Sequence, residues 1–356
     1  MSKVFLVPGL RGDSADEVRA QVGALWQAAG FGSLFKANDL AAIKLHVGEP
    51  GNETFVNPAI AAALVSCIAD TGAHPYLTET SVLYKSPRDN AVEHARVVHD
   101  HGFGLEAVGA PFIPADGLRG EEQIEVVIEG EHFERVAIAS GILQAGMLVV
   151  LSHATGHLGA GLGATLKNLG MGCASRRAKL QQHHGQQPRI DPDACTACGT
   201  CAEWCPEGAI TVEAHAEIDA DTCIGCGECV AVCRDDAVLF DWGNSGRELQ
   251  ERIVEHAAGV VRARRGRVAY LCAAQTITKD CDCIGEEQTP LLPDIGLLAS
   301  HDPVALDQAV LDLVRNRAGQ SLEALAYPEH DATVQLDYAV SLGIGERDVE
   351  LITIEA

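Results

Sequence analysis

The chain of 356 residues is 47% hydrophobic and carries 26 Lys and Arg against 50 Asp and Glu, a formal charge of −24. This length and apolar content exclude a disordered protein and predict a large core, while the negative charge disfavours nucleic acids and anionic membranes as partners. No apolar run approaches the ~18 residues needed to span a bilayer, and the first residues lack the pattern of a signal peptide, so we expect a cytoplasmic protein.

The first part of the chain alternates apolar runs of strand length with amphipathic stretches of helical length. We predict strands at residues 4–7, 41–47, 76–79 and 147–153, and helices at residues 13–29, 58–71 and 90–101. Residues 123–128 and 133–139 are predicted to form a hairpin or an edge pair of strands, because the turn at Gly130 is too short for a crossover. The alternation favours an α/β fold with a largely parallel sheet and helices on both faces.

Eight of the thirteen cysteines fall in two runs of identical spacing. The runs are Cys195-x2-Cys198-x2-Cys201-x3-Cys205 and Cys223-x2-Cys226-x2-Cys229-x3-Cys233. This spacing is typical of a ferredoxin that carries two [4Fe–4S] clusters. A zinc ribbon would show two CxxC pairs instead, and a disulfide framework would need an oxidising compartment. We therefore predict two clusters, in a reducing and anaerobic or microaerobic cell.

The fourth cysteine of each run in such ferredoxins ligates the other cluster. The predicted ligand sets are Cys195, Cys198, Cys201 and Cys233 for one cluster, and Cys205, Cys223, Cys226 and Cys229 for the second. The two runs belong to an internal repeat with an offset of 28 residues, in which Asp191 matches Asp219. Such a repeat predicts two copies of one small unit about a pseudo-twofold axis.

After the cysteine runs, the alternation of strands and helices resumes. We predict helices at residues 248–262 and 303–317, and strands at residues 268–272, 295–300 and 349–354. Residues 1–187 and 243–356 should therefore form one discontinuous α/β body. A ferredoxin-type module at residues 188–242 would interrupt it, and an insert with two nearby connections is held in a fixed orientation.

Polar side chains follow several of the predicted strands. They are Lys44, His46 and Glu49 after the second strand, Glu79 after the third, His153 and His157 after the fourth, and His301 and Asp302 after the strand at 295–300. Ligands of open α/β sheets bind at the carboxyl ends of the strands. Each residue alone is more commonly an ordinary loop residue, but their coincidence at one edge predicts a shared site.

A glycine-rich stretch at residues 156–163 precedes a helical stretch that contains Lys167. Such a loop presents free backbone N–H groups and the positive end of a helix, which is typical of a phosphate or carboxylate site. It does not match a Walker A motif. The alternative is a closely packed junction between a loop and a helix.

Five cysteines lie outside the two runs. We expect Cys67 and Cys173 to be core residues. Cys281 and Cys283 lie in a glycine-punctuated loop after a strand that ends at Cys272, and they indicate a third metal site or a redox thiol pair. Buried thiols in a reducing cell are the alternative.

Five stretches of the chain resemble the motifs of one family. They are KLHVGEPGNET at 44–54, SHATGH at 152–157, KNLGMGCA at 167–174, KDCDC at 279–283 and PDIG with SHDPVA between 293 and 305. The resemblance is to the bacterial and archaeal "domain of unknown function 362" family, in the subgroup with an inserted two-cluster ferredoxin. It implies an iron–sulfur protein, typically of anaerobes, without a settled reaction.

The leading hypothesis is an iron–sulfur oxidoreductase whose clusters relay electrons to a substrate or metal site at the strand ends. The histidines would donate protons or bind metal, the glutamates would act as base or orienter, and the lysines with the glycine-rich loop would hold a small anionic substrate. The candidate residues are Lys44, His46, Glu49, Glu79, His153, His157 and Lys167.

The expected electron donor is a soluble redox partner such as a ferredoxin, a flavodoxin or a reductase. An acidic surface suits a basic docking partner, although general solubility or adaptation to salt would also explain the charge. Two alternatives stay open at this point. One is a non-enzymatic ferredoxin-like electron carrier, and the other is an iron–sulfur or metal-cluster assembly factor that hands over metal through Cys281 and Cys283.

Overall fold

The chain folds around one central sheet with smaller two-stranded sheets beside it. The structure, a computed structural model, describes residues 1–183, 188–223, 227–239 and 246–356. Its strands are β1 Ser2–Pro8, β2 Leu40–Lys44, β3 His74–Thr78, β4 Gln123–Val127, β5 Arg135–Ala139, β6 Met147–His153, β7 Thr155–His157, β8 Gly161–Gly163, β9 Arg189–Ile190, β10 Ile210–Val212, β11 Ala216–Ile218, β12 Val238–Leu239, β13 Val268–Ala274, β14 Gly296–Ser300 and β15 Val349–Thr353.

The helices are α1 Ala15–Ala29, α2 Pro58–Ala69, α3 Ala91–Val98, α4 Leu105–Val108, α5 Ser140–Gln144, α6 Thr165–Gly170, α7 Arg176–Gln182, α8 Thr200–Glu203, α9 Glu228–Val232, α10 Arg247–Arg264, α11 Pro303–Ala318, α12 Leu322–Ala326 and α13 Thr333–Ser341. A 3₁₀ turn at Phe31–Leu34 and a π turn at His99–Phe103 extend α1 and α3. The side chains of Ser14, Asn57 and Asp302 cap α1, α2 and α11. Among the described helices, none combines the length and the apolar character needed to cross a membrane.

The central sheet has the strand order β15-β1-β14-β13-β6-β2-β3. Its pairs β3–β2, β2–β6, β6–β13 and β1–β15 are parallel. Strand β14 is antiparallel to both of its neighbours, β13 and β1. The predicted α/β fold with a largely parallel sheet is thus confirmed, as is the predicted hairpin, whose strands β4 and β5 pair antiparallel.

Helices cover both faces of this sheet. Along β6, Leu148 and Val150 point into a core that also contains residues of α6, α10 and α11, whereas Val149 and Leu151 point into a core built with α1 and α2. This alternation follows from the two-residue period of a strand, and burial on both faces explains why β6 is an unbroken apolar run.

The direction of β14 corrects one expectation. The chain leaves β13 at its carboxyl end and returns, after the loop of residues 275–295, as the neighbouring strand, so that Ala274 pairs with Gly296 and Tyr270 with Ser300. His301 and Asp302 therefore lie at the opposite edge of the sheet from the other strand-end residues. His301 contacts the carbonyl oxygen of Ala29 through Nε2 at 2.7 Å, and Asp302 caps α11.

Matching hydrogen bonds join equivalent positions of the predicted internal repeat in the cysteine-rich segment. The Asp191 N–H donates to the Ala237 carbonyl at 2.7 Å, and the Asp219 N–H donates to the Ala209 carbonyl at 2.8 Å. Each bond joins one copy of the repeat to the other, as a pseudo-twofold axis requires. Accordingly, β9 pairs with β12 and β10 pairs with β11.

Candidate functional site

A cavity of about 120 Å³ opens at the carboxyl ends of β2, β3 and β6. Around it meet the residues after β2, the loop between β3 and α3, helix α6 and the loop after β13. Of the seven candidate residues predicted for catalysis or substrate binding, four line the cavity: His46, Glu79, His153 and Lys167. Lys44 and Glu49 are hydrogen-bonded to lining residues.

Arg88 joins the carboxylates in one wall of the cavity, and no sequence pattern identified it. Its side chain is 1% exposed and donates to Glu79 Oε1 at 2.7 Å and to Glu49 Oε2 at 2.9 Å. Burial is the largest single influence and acts to lower the pKa of the guanidinium, but Glu79 and the other acidic groups around it together outweigh burial and the pKa is raised. Burial likewise acts to raise the pKa of Glu79, yet Arg88 with His46 and His94 holds it well below its usual range. Glu79 therefore balances charge and is not a free base.

Glu49 ties two loops of the site together. Its carboxylate accepts hydrogen bonds from Tyr84 Oη at 2.9 Å, from Arg88 Nη1 at 2.9 Å and from Ser86 Oγ. Its backbone N–H donates to the carbonyl of Asp282 at 2.9 Å. A carboxylate with this many fixed donors suits the orienting role predicted for it better than that of a general base.

His153 is fully engaged by oxygen acceptors. Its Nδ1 lies 2.9 Å from Asp282 Oδ1, and its Nε2 lies 2.8 Å from the carbonyl oxygen of Gln275. Burial acts to lower the pKa of the imidazole, but Asp282 and the two hydrogen bonds raise it. A ring that donates from both nitrogens is a fixed cation, which leaves no lone pair for a metal.

His157 lies beside the cavity but outside its lining. Its Nδ1 accepts from the N–H groups of Gly159 at 3.1 Å and Ala160 at 3.0 Å, so the neutral ring carries its proton on Nε2. Burial and the charge of Lys167 lower the pKa of His157 to about 3. The histidine therefore shapes the β7–β8 hairpin as a neutral side chain.

Two buried ammonium groups face neutral oxygens. Lys44 Nζ donates to Asn168 Oδ1 at 2.8 Å and to the carbonyl of the next residue at 2.7 Å. Lys179 Nζ, which the sequence did not single out, donates to Thr80 Oγ1 at 2.7 Å and to the carbonyl of Ser81. Burial lowers the pKa of Lys44 and brings that of Lys179 to about 8. Within the described parts of the chain, neither lysine forms a salt bridge, so this side of the cavity favours an anion.

The glycine-rich stretch forms the β7–β8 hairpin, and the anion at the following helix belongs to the protein itself. The N–H groups of Thr165 and Leu166 donate to the two carboxylate oxygens of Asp307, each at 2.8 Å. Burial raises the pKa of Asp307 to about 6. The predicted seat for a substrate anion at this helix start is thus occupied by a side chain 142 residues later in the chain.

Cys281 and Cys283 lie together in the cavity wall. The Ile284 N–H donates to the Cys281 carbonyl at 3.0 Å and closes a turn over the pair. Lys167 Nζ is 3.3 Å from Cys281 Sγ, and His46 Nε2 is 3.3 Å from Cys283 Sγ. No group of three His, Cys, Asp or Glu side chains among the described residues has a geometry that could hold a metal ion.

Two small cavities, each of about 20 Å³, lie between the cysteines of residues 188–239. One is lined by Cys195, Cys198, Cys201 and Cys233. The other is lined by Cys205, Cys223 and Cys229. Cys226, the remaining predicted ligand, lies outside the described residues.

Helix α7 separates the second of these cavities from the large one. Lys179 lines the large cavity, and the next residue, Leu180, contacts Gly227, which lines the cavity of Cys205 and its partners. A Cβ on Gly227 would clash with Leu180, and the φ of +81° at this position also favours glycine. The two cavities are therefore about one helix diameter apart, ~10 Å.

Comparison with known proteins gives few relatives. No curated protein matches. The lactate racemase apoprotein of Thermoanaerobacterium thermosaccharolyticum is a similar solved structure, with 13% identity and a TM-score of 0.39 over 76% of this chain and 50% of that one. A protein of Thermotoga maritima has 8% identity and a TM-score of 0.44 over 88% of this chain and 60% of that one. The chain thus spans half of the first protein and 60% of the second.

The family comparison is more informative. The profile described as "Domain of unknown function (DUF362)" matches residues 41–312. That range begins in β2 and ends in α11, so it contains the strands and loops that line the large cavity as well as the cysteine-rich segment. The chain belongs to the DUF362 family, as its motifs indicated.

Proposed function

We propose that the protein is an iron–sulfur oxidoreductase of the DUF362 subgroup with an inserted ferredoxin module. Residues 188–242 would be this module, and residues 1–187 and 243–356 the α/β body around it. When bound, two [4Fe–4S] clusters would supply the transfer of single electrons. The chain's own task is to hold them and to position a small anionic substrate in the large cavity.

The grouping of the cysteines carries the proposal. Cys233 lines the same cavity as the first run, and Cys205 lines the same cavity as the second. This exchange of the fourth ligand is the arrangement of two-cluster ferredoxins. The described cysteines are all free thiols, which suits thiolate ligation. The N–H groups of Ala216 and Ala209 point at Cys195 Sγ (3.3 Å) and Cys205 Sγ (3.2 Å), and hydrogen bonds to cluster sulfurs adjust the reduction potential.

The position of the module supports a direction for electron flow. Cys198 is exposed, and residues 188–242 contain twelve Asp and Glu against two Arg. This outer side suits a basic redox partner such as a ferredoxin, flavodoxin or reductase. The other side meets α7 through Gly227 and Leu180, next to the large cavity. The set with Cys205 is therefore the one that would pass electrons to a substrate.

The large cavity supports an enzyme in preference to a simple carrier. Lys179 offers a buried ammonium without a carboxylate partner, and His46 Nε2 lies at the cavity wall between Arg88 Nη2 at 3.0 Å and Cys283 Sγ at 3.3 Å. A docking platform has no use for such groups inside the body. If the Lys179→Met variant reduces external acceptors like the wild type, and calorimetry detects no binding of phosphate or acetate to either protein, the non-enzymatic carrier is favoured.

Anaerobic reconstitution tests the two clusters directly. The wild type should bind about eight irons and eight sulfides, two cubanes on eight thiolates. Cys205→Ala and Cys223→Ala should yield the same electron paramagnetic resonance spectrum after reduction, because both lose the same cluster. Cys233→Ala and Cys195→Ala should share a second, different spectrum, because both lose the other cluster.

A matched control and a contrary outcome sharpen this test. Cys67→Ala removes a half-buried thiol of α2, outside both runs, and should leave the iron content unchanged. If the spectrum of Cys205→Ala instead matches that of Cys195→Ala, the exchange of ligands is wrong. A colourless protein after oxygen-free reconstitution would refute the proposal altogether.

A further inference from the structure

The proposed electron relay leaves one reactive pair without a role. Cys281 and Cys283 flank Asp282 in a turn at the cavity wall, and their thiols hydrogen-bond to each other. A turn closed between Cys281 and Ile284 brings its members within ~7 Å, and a disulfide needs its two Cα atoms ~4.4–6.8 Å apart. The pair is thus positioned to close into a disulfide without rearrangement of the body.

The surroundings of this pair differ from those of the structural cysteines. Cys272 is buried in the apolar core, and burial raises the pKa of its thiol well above the usual range. Cys281 has Lys167 Nζ at 3.3 Å, and the hydrogen bond from Cys283 together with this cation lowers its pKa to about 6, against the effect of burial. The pKa of Cys283 is raised, and the largest cause is the same hydrogen bond between the two thiols. One thiolate and one thiol therefore coexist at neutral pH.

We propose that Cys281 and Cys283 form a dithiol–disulfide centre that exchanges with small disulfides entering the cavity. This proposal rests on the proposed function in one respect: the electrons for the centre would come from the cluster of the Cys205 set, whose cavity lies one helix away. The exchange chemistry itself depends only on residues of the α/β body. Reduction of the disulfide needs two electrons, and the two proposed clusters would each supply one of them.

The chemistry balances as a disulfide reduction. The Cys281 thiolate attacks one sulfur of a small disulfide, forms a mixed disulfide and releases the first thiolate. The Cys283 thiol gives its proton to the first released thiolate, and its sulfur then attacks Cys281 Sγ, closes the internal disulfide and releases the second thiolate. Two electrons then break the Cys281–Cys283 bond, and two protons from solvent restore the Cys283 thiol and convert the second released thiolate to a thiol.

Two neighbours act as positioning residues for these steps. His46 Nδ1 accepts from the Gly48 N–H at 3.1 Å, so the neutral ring carries its proton on Nε2, which lies 3.3 Å from Cys283 Sγ and can donate to that sulfur as it becomes a thiolate. Lys167 holds Cys281 as a thiolate. The attacking cysteine is therefore Cys281, and the resolving cysteine is Cys283.

The test uses the intact wild-type chain, equilibrated in buffers of reduced and oxidised glutathione, quenched with acid and alkylated. We expect the peptide that follows Lys279 to lose two hydrogens and both alkylation sites as the buffer becomes oxidising, while Cys67 stays alkylated. Failure of this peptide to form a disulfide at any ratio refutes the inference. The result needs no variant and no cluster.

Variants assign the order of attack. With hydroxyethyl disulfide as the probe, Cys283→Ser should trap a mixed disulfide on Cys281, whereas Cys281→Ser should release almost no thiol. A trapped adduct on residue 283 in the Cys281→Ser protein, at the wild-type rate, would contradict the assignment. Lys167→Met should shift the pH profile of Cys281 alkylation upward, and Lys167→Arg should restore it; identical profiles for all three proteins would remove Lys167 from the mechanism.

A final measurement separates this inference from the proposed function. Clusters reduced by dithionite, after removal of the excess, should be reoxidised by hydroxyethyl disulfide in the wild type and not in Cys281→Ser. Glutathione-dependent disulfide formation without any bound iron would refute the proposed function and support the dithiol centre. Full iron content with no disulfide at residues 281 and 283 would support the proposed function and refute the dithiol centre.

Discussion

The cysteine-rich segment and the rim of the large cavity both concentrate reactive side chains, but different forces hold them. Strands β9 to β12 of the segment are two or three residues long. Its apolar cluster consists partly of the cysteines Cys201 and Cys229, with Leu83 and Leu180 contributed by the body. The cavity rim instead rises from a seven-stranded sheet whose strand β6 is buried along its whole length.

The contrast separates two ways of ordering a functional site. Chains as short as the segment bury too little apolar surface to be stable alone and commonly need a metal or disulfides. The rim has no such need, because Arg88 and the carboxylates around it are ordered by the folding of the body. We therefore expect the segment to depend on its cofactor and the rim to depend on its ion pairs.

The largest expected effect is the selective loss of order in the segment when iron is removed. Binding of a metal to a site that is not preformed contributes its free energy to folding. Without clusters, amide hydrogens of residues 188–223 and 227–239 should exchange rapidly in hydrogen-exchange mass spectrometry, while those of β6 and β13 keep the same protection. Equal protection of the segment with and without iron would remove the distinction between the two regions.

The next effect concerns the rim. Arg88→Met leaves Glu79 and Glu49 buried without their guanidinium, and removal of one partner from a buried ion pair costs about 3–5 kcal/mol. The free energy of unfolding in urea should fall by that amount, and iron content should not change. Adding Glu79→Gln should recover part of the loss, because it removes one of the two unpaired charges.

Arg96→Met is the matched control for this substitution. Arg96 lies on the neighbouring helix α3, where its exposed side chain pairs with Glu93. Exposed ion pairs contribute little, so the free energy of unfolding should change by less than about 1 kcal/mol. A loss as large as that of Arg88→Met would mean that charge in general, and not the buried pair, stabilises this part of the molecule.

These two regions also differ in how far the sequence predicts them. The spacing within each cysteine run covers only a few residues, so the sequence alone leads to the hypothesis of two ligand sets. The strand ends with His46, Glu79 and His153 were predicted as well, because periodic apolar runs locate strands and parallel strands bring their carboxyl ends together.

What the sequence did not predict depends on contacts between distant parts of the chain. Arg88 lies in a loop without any periodic pattern, and only folding brings it to Glu79 and Glu49. Asp307 fills the start of α6 from a distant helix, and the reversal of β14 takes His301 to the other edge. Each of these follows from the tertiary arrangement, for which one sequence offers no local signal.

Low pH should destabilise the α/β body through His256, a buried residue of α10. Its Nδ1 is 2.9 Å from the Arg252 carbonyl and so carries the proton, while the buried Nε2 has no hydrogen-bond partner among the described residues. Burial lowers the pKa of His256 to about 4, below the usual ~6.5 of the unfolded chain. A depressed histidine pKa means that the unfolded state binds the proton first, so this stability is present above pH 6.5 and is lost as the pH falls toward 4.

His256→Phe should remove this sensitivity. The ring already packs edge-on against Phe133, with centroids 5.1 Å apart, so the substitution fits the site. Between about pH 7 and pH 4.5, the variant should gain about 2–3 kcal/mol of unfolding free energy relative to the wild type. Parallel curves for the two proteins would show that His256 is protonated equally in both states. Because the segment contains no buried histidine among its described residues, its hydrogen exchange should not respond to the substitution.

The smallest effect tests how tightly the rim is packed onto the body. Gly170 ends α6, the helix that carries Lys167, and a Cβ there would clash with the backbone carbonyl of Ile253 in α10. Overpacking of this kind costs about 1–3 kcal/mol, so Gly170→Ala should lower the free energy of unfolding by that amount. A shift of α6 would also move Lys167 away from Cys281, so the reaction of Cys281 with iodoacetamide should become slower.

Gly23 is the matched control for this glycine. It lies in α1 with nothing within 4 Å of the position that a Cβ would take. Gly23→Ala should therefore raise the free energy of unfolding by about 0.5–1 kcal/mol, because alanine loses less backbone entropy in a helix. If Gly170→Ala also stabilises the protein, then α6 can move away from α10 at little cost. The cavity wall would in that case be adaptable in the same way as the cysteine-rich segment, and the contrast between a self-supporting rim and a cofactor-dependent module would be one of degree.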